Sequence, residues 1–357
     1  MSLVYIGQQI TIYYEFFLLI FGFIGNFLTI LILSTTRIYR TNPSTFYMLI
    51  ASIHNLFQMI PNLLLRILSV SFELDYSRTS HFWCKSRITF AAIFGFISLS
   101  CACLSTIDQY LITSRKVSFR HKSQIKWSHR IVLIIMIIVL LHSIPSFISY
   151  DISSINHICT YTNLIFAVYV PVSSFLYLCI IPISILITFG CLTYRNLQQI
   201  RNLNDYRFDR QLTKTILMQV ILIIISQTPY AIYNAYMLIG IGRNKDAKQL
   251  EIENFAFTIT GLMAYEYFSS GFYIFLFSSK TFRQTVRKRL FFWRRINHIV
   301  PVTIKEFFFQ SCCLKISHDR KRYAEKKTFS SIRHKMEKYE STFFDSLFIA
   351  ISEKEIQ

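Results

Sequence analysis

The sequence predicts an all-α membrane protein: a bundle of seven transmembrane helices with a short amphipathic eighth helix on the inner leaflet. Three observations carry that expectation. The composition suits a chain solvated by lipid. Seven apolar runs follow one another along 357 residues. The cations gather in every second connection.

Hydrophobic types make up 53% of the chain and charged types 16%, against about 25% charged in soluble domains. The net charge is +19, from 38 Lys and Arg against 19 Asp and Glu. On a soluble protein that excess would point to nucleic acid. Here it sits in short segments between apolar blocks, the pattern of loops that face anionic lipid, so nucleic acid is not an expected partner. Residues Met1 to Thr11 lack the basic start of a cleavable signal, which leaves the first span as an uncleaved anchor. Eight Cys without a C-x-x-C pair and nine scattered His give no metal site.

A spanning helix needs about 20 predominantly apolar residues. Segment one is Phe16 to Ser34, and segment two is Phe46 to Leu65, ending against Arg66. Segment three is Ile88 to Ile107, and segment four Ile131 to Tyr150. Segment five lies within Leu164 to Tyr194 and segment six within Thr215 to Gly242. Segment seven runs from about Asn254 to Ser279, broken by Glu266.

Loop charge gives the direction. The 1–2 connection carries Arg37 and Arg40. The 3–4 connection carries Arg115, Lys116, Arg120, Lys122, Lys126 and Arg130, and the 5–6 connection Arg195, Arg201, Arg207, Arg210 and Lys214. The 2–3 connection has Arg78, the 4–5 connection has no Lys or Arg, and the 6–7 cations are offset by Asp246, Glu251 and Glu253. The rich loops belong in the cytoplasm. The division that follows is an extracellular N-terminus at 1–12, the bundle at 13–279, helix eight at 280–296 and a cytoplasmic tail at 297–357, disordered or regulatory.

Several small constellations stand in order along these segments: Gly25-Asn26 in segment one, and Cys84 at the outer start of segment three. Cys159 lies in the outer 4–5 loop, and Asp108-Gln109-Tyr110 ends segment three. Pro182 lies in segment five, and Ser226-Gln227-Thr228-Pro229 in segment six. Taken together over Phe16 to about Arg295, they resemble the rhodopsin-like (class A) G-protein-coupled receptors, as a divergent member. The run Asp209 to Lys214 leads into segment six as in many peptide receptors of that family.

The resemblance implies a receptor in the plasma membrane, an extracellular ligand and a heterotrimeric G protein. It implies a disulfide between Cys84 and Cys159, on the side where disulfides persist. Asn26, Asn55 and Ser98 fall at the family's central polar positions. Asn55 stands where an aspartate usually binds sodium, which argues against a sodium cofactor and for an interhelical amide network.

Switch positions also depart from the family. Gln109 replaces an arginine between Asp108 and Tyr110, and Asp209 is its nearest candidate partner at segment six. Gln227 replaces the tryptophan before Pro229. N-P-x-x-Y is absent: the preferred alignment places Gly271 to Phe275 there, and a shift by two puts Tyr273 on the motif tyrosine. Phe282, Val286, Leu290 and Trp293 share one face of a basic helix, as a helix lying on the inner leaflet requires. Cys312 and Cys313 are either acylated or unmodified thiols.

Ionisable groups inside a membrane are candidate functional sites. Glu15, Arg66 and Glu266 are such groups; Arg66 pairs with Glu15 or Glu266, or meets an acidic ligand. Ala91 occupies the position of the amine receptors' aspartate, and segment seven holds no lysine for retinal. Monoamines and retinal are thereby disfavoured. The resemblance leaves a peptide ligand, of the FMRFamide type, as its best implication. A seven-span receptor without G-protein coupling is the alternative. A transporter or channel ranks below it, for want of repeat symmetry, and no catalytic constellation marks an enzyme.

Overall fold

The computed structural model describes residues 3–72, 78–153, 159–161, 163–199, 207–240 and 246–289. The tail at 297–357, Leu290, Trp293, Cys312 and Cys313, and the Asp209 side chain lie outside the described residues.

Seven long helices form. Helix α1 is Leu3–Thr35, beginning well before the first apolar run. Helix α2 is Pro43–Met59, continued through a π turn, Ile60–Leu64, into Leu65–Phe72. Helix α3 is His81–Thr113 and α4 is Ile125–Ser149. Helix α5 is Leu164–Phe175, a π turn Leu176–Ile180, then Ile181–Gln199. Helix α6 is Arg207–Ile239 and α7 is Ala247–Ser278. A short α8 covers 280–289.

Local chemistry sets these ends. Asn42 caps α2 by accepting from the Thr45 N–H at 3.3 Å, with Pro43 at the first helical position. Ser80 caps α3 and Asn163 caps α5 in the same way. Ser279 breaks α7 and caps α8, accepting from Phe282 N–H at 3.2 Å. Arg283 reaches back to the last carbonyls of α7, Leu276 at 3.0 Å and Phe277 at 2.8 Å, which helix ends leave without partners.

The two π turns sit beside prolines. Proline lacks an N–H and its ring pushes away the carbonyl four residues back. Around Pro61 and before Pro182 the ladder widens accordingly: Leu65 N–H donates to Ile60 and Ile181 N–H to Leu176.

Among the described residues six helices are long and apolar enough to cross a membrane. Helix α7 has the length, at 32 residues, but is not one of those six. It packs against α1 and α6 and turns Glu253, Tyr267 and Ser269 inward. By contrast, α4 leaves Leu133, Ile134, Ile137, Ile138, Leu141, Ile144 and Ile148 exposed. Such an apolar surface is stable facing hydrocarbon.

Close packing of α1 on α7 depends on glycine. A Cβ at Gly25 would meet Phe272 Cβ at 3.1 Å, and one at Gly22 would overlap Met59 and Ser269. Bare backbone there lets Asn26 reach across to α7 and α2.

One end of the bundle carries a lid. Strands β1 (Tyr150–Ile152) and β2 (Cys159–Tyr161) pair antiparallel, with Ile152 opposite Cys159. The Cys84–Cys159 disulfide ties β2 to the first turn of α3 across 75 residues of chain.

Candidate functional site: a lidded cavity and a polar latch

Beneath the lid lies a cavity of about 560 Å³. Its wall takes Asn62 from α2, Arg87 and Ala91 from α3, and His142 from α4. It adds Ser173 from α5, Tyr230 and Asn234 from α6, and Phe257 and Tyr265 from α7. Tyr150, Cys159 and Tyr161 of the lid close one side, and Arg78 joins from the α2–α3 connection. The lid tyrosines, Tyr150 and Tyr161, pack with their ring centres 4.6 Å apart and their planes tilted by 41°. A cavity of this size, walled by aromatic and polar groups in similar measure, suits a small ligand or the end of a larger one.

Of the four residues expected to form a pocket, Ala91 lines this one. Glu15, Arg66 and Glu266 do not. They turn instead toward the packed interface of α1, α2 and α7. Arg66 Nε stands 3.2 Å from Glu15 Oε1, and its Nη2 donates to Thr258 at 3.3 Å. Glu15 is wholly buried. Glu266 takes the Tyr14 hydroxyl rather than Arg66. A buried carboxylate needs a cation or donors close by, and Arg66 meets that need for Glu15 alone.

Midway along the bundle Asn26, Asn55 and Ser98 meet. Asn26 Nδ2 donates to the carbonyls of Gly22 and Phe268, each at 2.8 Å. Asn55 Nδ2 donates to Asn26 Oδ1 at 3.3 Å, and Ser98 donates to Asn55 Oδ1 at 2.5 Å. The Tyr267 hydroxyl lies 3.1 Å from Ser98 Oγ. Four helices are thus joined by neutral groups, and Asn55 Oδ1 already accepts a hydroxyl proton.

At the end away from the lid, Asp108 and Gln109 are buried. Asp108 accepts from Ser44 and Ser123, each at 2.5 Å. Gln109 bridges two helices. Its Nε2 donates to Ser44 Oγ of α2 at 2.7 Å, and its Oε1 accepts from Thr213 of α6 at 2.6 Å. Thr213 is thus a partner of Gln109 on α6, while the expected partner, the Asp209 side chain, lies outside the described residues. An amide offers both a donor and an acceptor. A carboxylate would use the donor alone, whereas Ser44 and Thr213 satisfy both. Tyr110 packs edge-on against Phe189 of α5 at 5.5 Å.

Helix α6 is held on its other side too. Gln211 Oε1 accepts from Thr281 N–H at 3.1 Å and Thr281 Oγ1 at 2.8 Å. Thr215 and Ser278 hydroxyls lie 2.7 Å apart, and Gln227 Nε2 donates to the Ala264 carbonyl at 3.1 Å. That last bond sits two residues before Pro229, inside α6. Gly271 faces open space. Phe275, not Tyr273, packs on Phe282 of α8, at 5.0 Å. The Tyr273 hydroxyl instead donates to the Phe21 carbonyl of α1 at 3.0 Å. Phe282 and Val286 are buried, while Arg283, Arg287 and Lys288 are exposed.

As site residues, Ser44, Thr213, Gln211, Tyr267, Arg78 and Arg87 were not singled out from the sequence, although Arg78 was counted among the loop cations and Gln211 and Thr213 lie in the run leading into segment six. Arg87 had a signal: it lies three residues past Cys84, one turn into α3, just outside the charge-free run counted from Ile88. The hydroxyl residues had none, because Ser and Thr are ordinary in membrane helices.

No curated protein matches the chain at a significant level. The family model described as the seven-transmembrane receptor of the rhodopsin family matches residues 25–267. That span runs from Gly25, at the α1–α7 contact, to Tyr267 of the central network. It covers more than half of the chain, and the chain belongs to the rhodopsin family of seven-transmembrane receptors.

Proposed function

We propose that the protein is a plasma-membrane receptor that binds an extracellular ligand in the lidded cavity and activates a heterotrimeric G protein at the opposite end. The observation that carries this reading is the Gln109 bridge, with α2 at 2.7 Å and α6 at 2.6 Å. It closes the end of the bundle where a partner would enter, and does so with neutral hydrogen bonds that separate at modest cost. Agonist must favour the state with α6 released, since a ligand shifts an equilibrium only by its differential affinity.

Orientation follows the cation-rich loops, so the lid and its disulfide face outside, and the short helices Arg37–Arg40 and Val117–Arg120 face the cytoplasm. Helix α8 then lies on the inner leaflet, with Phe282 and Val286 turned to the bundle. A peptide is the ligand class, because the lid leaves a wide cavity lined by Tyr and Phe. Enzyme chemistry has no place in this reading.

A ligand screen on cells expressing the receptor with a promiscuous G protein tests it, run beside Gln109→Arg. Ligand-driven signalling that changes with the substitution supports the reading. Surface expression and ligand binding with no nucleotide exchange on any G protein would favour the second reading, a ligand-binding receptor uncoupled from G proteins. The loss of arginine at Gln109 and of N-P-x-x-Y at Gly271–Phe275 motivates that alternative.

A further inference from the structure

Between Asp108 and Asp151 the chain carries Lys and Arg but no acid. Asp108 itself is buried and accepts from Ser123 at 2.5 Å, which pins the 3–4 connection to α3. The Phe46 and His129 rings, with centres 4.2 Å apart, hold the start of α4 on α2. The cations of this segment are therefore displayed on a fixed frame. Lys116 and Lys122 stand over the Phe119 ring at 5.7 Å and 5.5 Å, and Arg130 over the Trp127 ring at 5.3 Å.

Lys126 and Arg130 lie one turn apart on α4, and Lys122 precedes them by four residues, in the turn before the helix. All three are exposed. Trp127 is 54% exposed. From Trp127 the spacing of a single helix face runs through Arg130, Ile134, Ile137 and Leu141, all of them exposed. The rise from Arg130 to Leu141 is about 16 Å, close to the hydrocarbon depth of one leaflet. A cationic edge, an indole of the kind found at membrane interfaces and an apolar stripe thus share one outward face of α4.

We propose that this face binds a phospholipid with a multiply phosphorylated headgroup. Its phosphates meet Lys122, Lys126 and Arg130, and one acyl chain lies along Ile134, Ile137 and Leu141. Grouped cations beside an inner leaflet each add to the attraction for a polyanion, and a single phosphate would leave most of this group unmatched. A soluble acidic partner would use the cations and leave the stripe idle, whereas a lipid uses both. The inference rests on the orientation that puts the 3–4 connection in the cytoplasm, and not on the ligand or on G-protein coupling.

The test uses the full chain in phosphatidylcholine nanodiscs doped with a few mole per cent of a probe lipid. Native mass spectrometry reads the lipid that stays bound. The probes are phosphatidylinositol bisphosphate, phosphatidylinositol and phosphatidylserine with matched acyl chains. The bisphosphate should be retained over phosphatidylserine by roughly tenfold. Lys126→Gln and Arg130→Gln should each lower its retention roughly fivefold, the contribution of one surface cation. Lys248→Gln, in the 6–7 connection, should change nothing. A second readout uses Trp127 alone, after Trp83→Phe and Trp293→Phe. Bisphosphate lipid with brominated chains should quench its fluorescence more strongly than brominated phosphatidylcholine. Equal retention of bisphosphate and phosphatidylserine, or equal quenching by the two brominated lipids, would overturn the proposal. So would a soluble polyglutamate peptide that displaces the bisphosphate and loses that power in Arg130→Gln, since the face would then belong to an acidic protein. Nanodiscs carry the probe in both leaflets, so the binding result does not depend on orientation. Labelling of the 3–4 connection from outside intact cells would overturn the orientation instead.

Discussion

The two ends of the bundle use different chemistry. Toward the lid, charge predominates: Glu15 with Arg66, Asp151 with His81 and Lys85, and two arginines at the cavity. At the far end, α6 is held to α2, α3, α7 and α8 by amides and hydroxyls, through Gln109, Ser44, Thr213, Gln211 and Thr215. Asp108 is the buried acid there, and two hydroxyls hold it. A hydrogen bond to a charged group contributes about 1.5–3 kcal/mol, and a neutral one about 1 kcal/mol. The lid end is thus built to stay in place. The far end is built with a shallow energy gap between held and released α6.

Substitutions break or sharpen that contrast, from large effects at the lid to smaller ones elsewhere. Cys84→Ser removes a tie across 75 residues, worth about 4 kcal/mol in the chain-entropy account. Surface expression and melting temperature should both fall, and Cys159→Ser should match it. Next comes Glu15→Gln, which strands Arg66 in the bundle. Breaking a buried pair from one side costs about 3 kcal/mol. Glu15→Gln with Arg66→Met should recover much of the loss; equal melting of the single and double variants would show that the pair is inert.

In the central network the neutral amides predict indifference to sodium. Wild-type ligand affinity should change less than twofold when sodium replaces choline at constant ionic strength. Asn55→Asp supplies the missing carboxylate beside Ser98 and should create a sodium response. The smallest effect belongs to the lid strands. His81, then the Ile152 N–H and Lys85, hold the Asp151 carboxyl down at about 2. A depressed carboxyl stabilises above its ordinary pKa near 4 and loses that contribution as pH falls toward 2. Ligand dissociation should therefore quicken between pH 4 and pH 2, and Asp151→Asn should flatten that dependence.

Much of the fold was legible in residue order alone. Apolar runs need only counting, and the Cys84–Cys159 disulfide that the family resemblance implied is formed. The seventh helix was readable despite Glu266, because the run on either side stays apolar. Contacts between helices were less so. Whether Arg66 meets Glu15 or Glu266 depends on how α1 rotates against α2, and Gly22 and Gly25 set that rotation through a close approach. Ser44 and Thr213 were missed as partners of Gln109 because hydroxyls are ordinary in membrane helices, although the amide's two-sided bonding favours them. The π turns were hidden as well: Pro61 shows where the ladder must fail, but not that it widens rather than kinks.

Agonist-free nucleotide exchange is the most direct measure of the shallow latch. Wild type and Thr213→Val, purified in nanodiscs with a heterotrimeric G protein, differ by the hydroxyl that Gln109 Oε1 accepts at 2.6 Å. Loss of about 1.4 kcal/mol from the held state corresponds to roughly a tenfold rise in basal exchange. That rise, with unchanged melting of the lid end, is the predicted result. Exchange by both proteins no faster than empty nanodiscs would contradict the account.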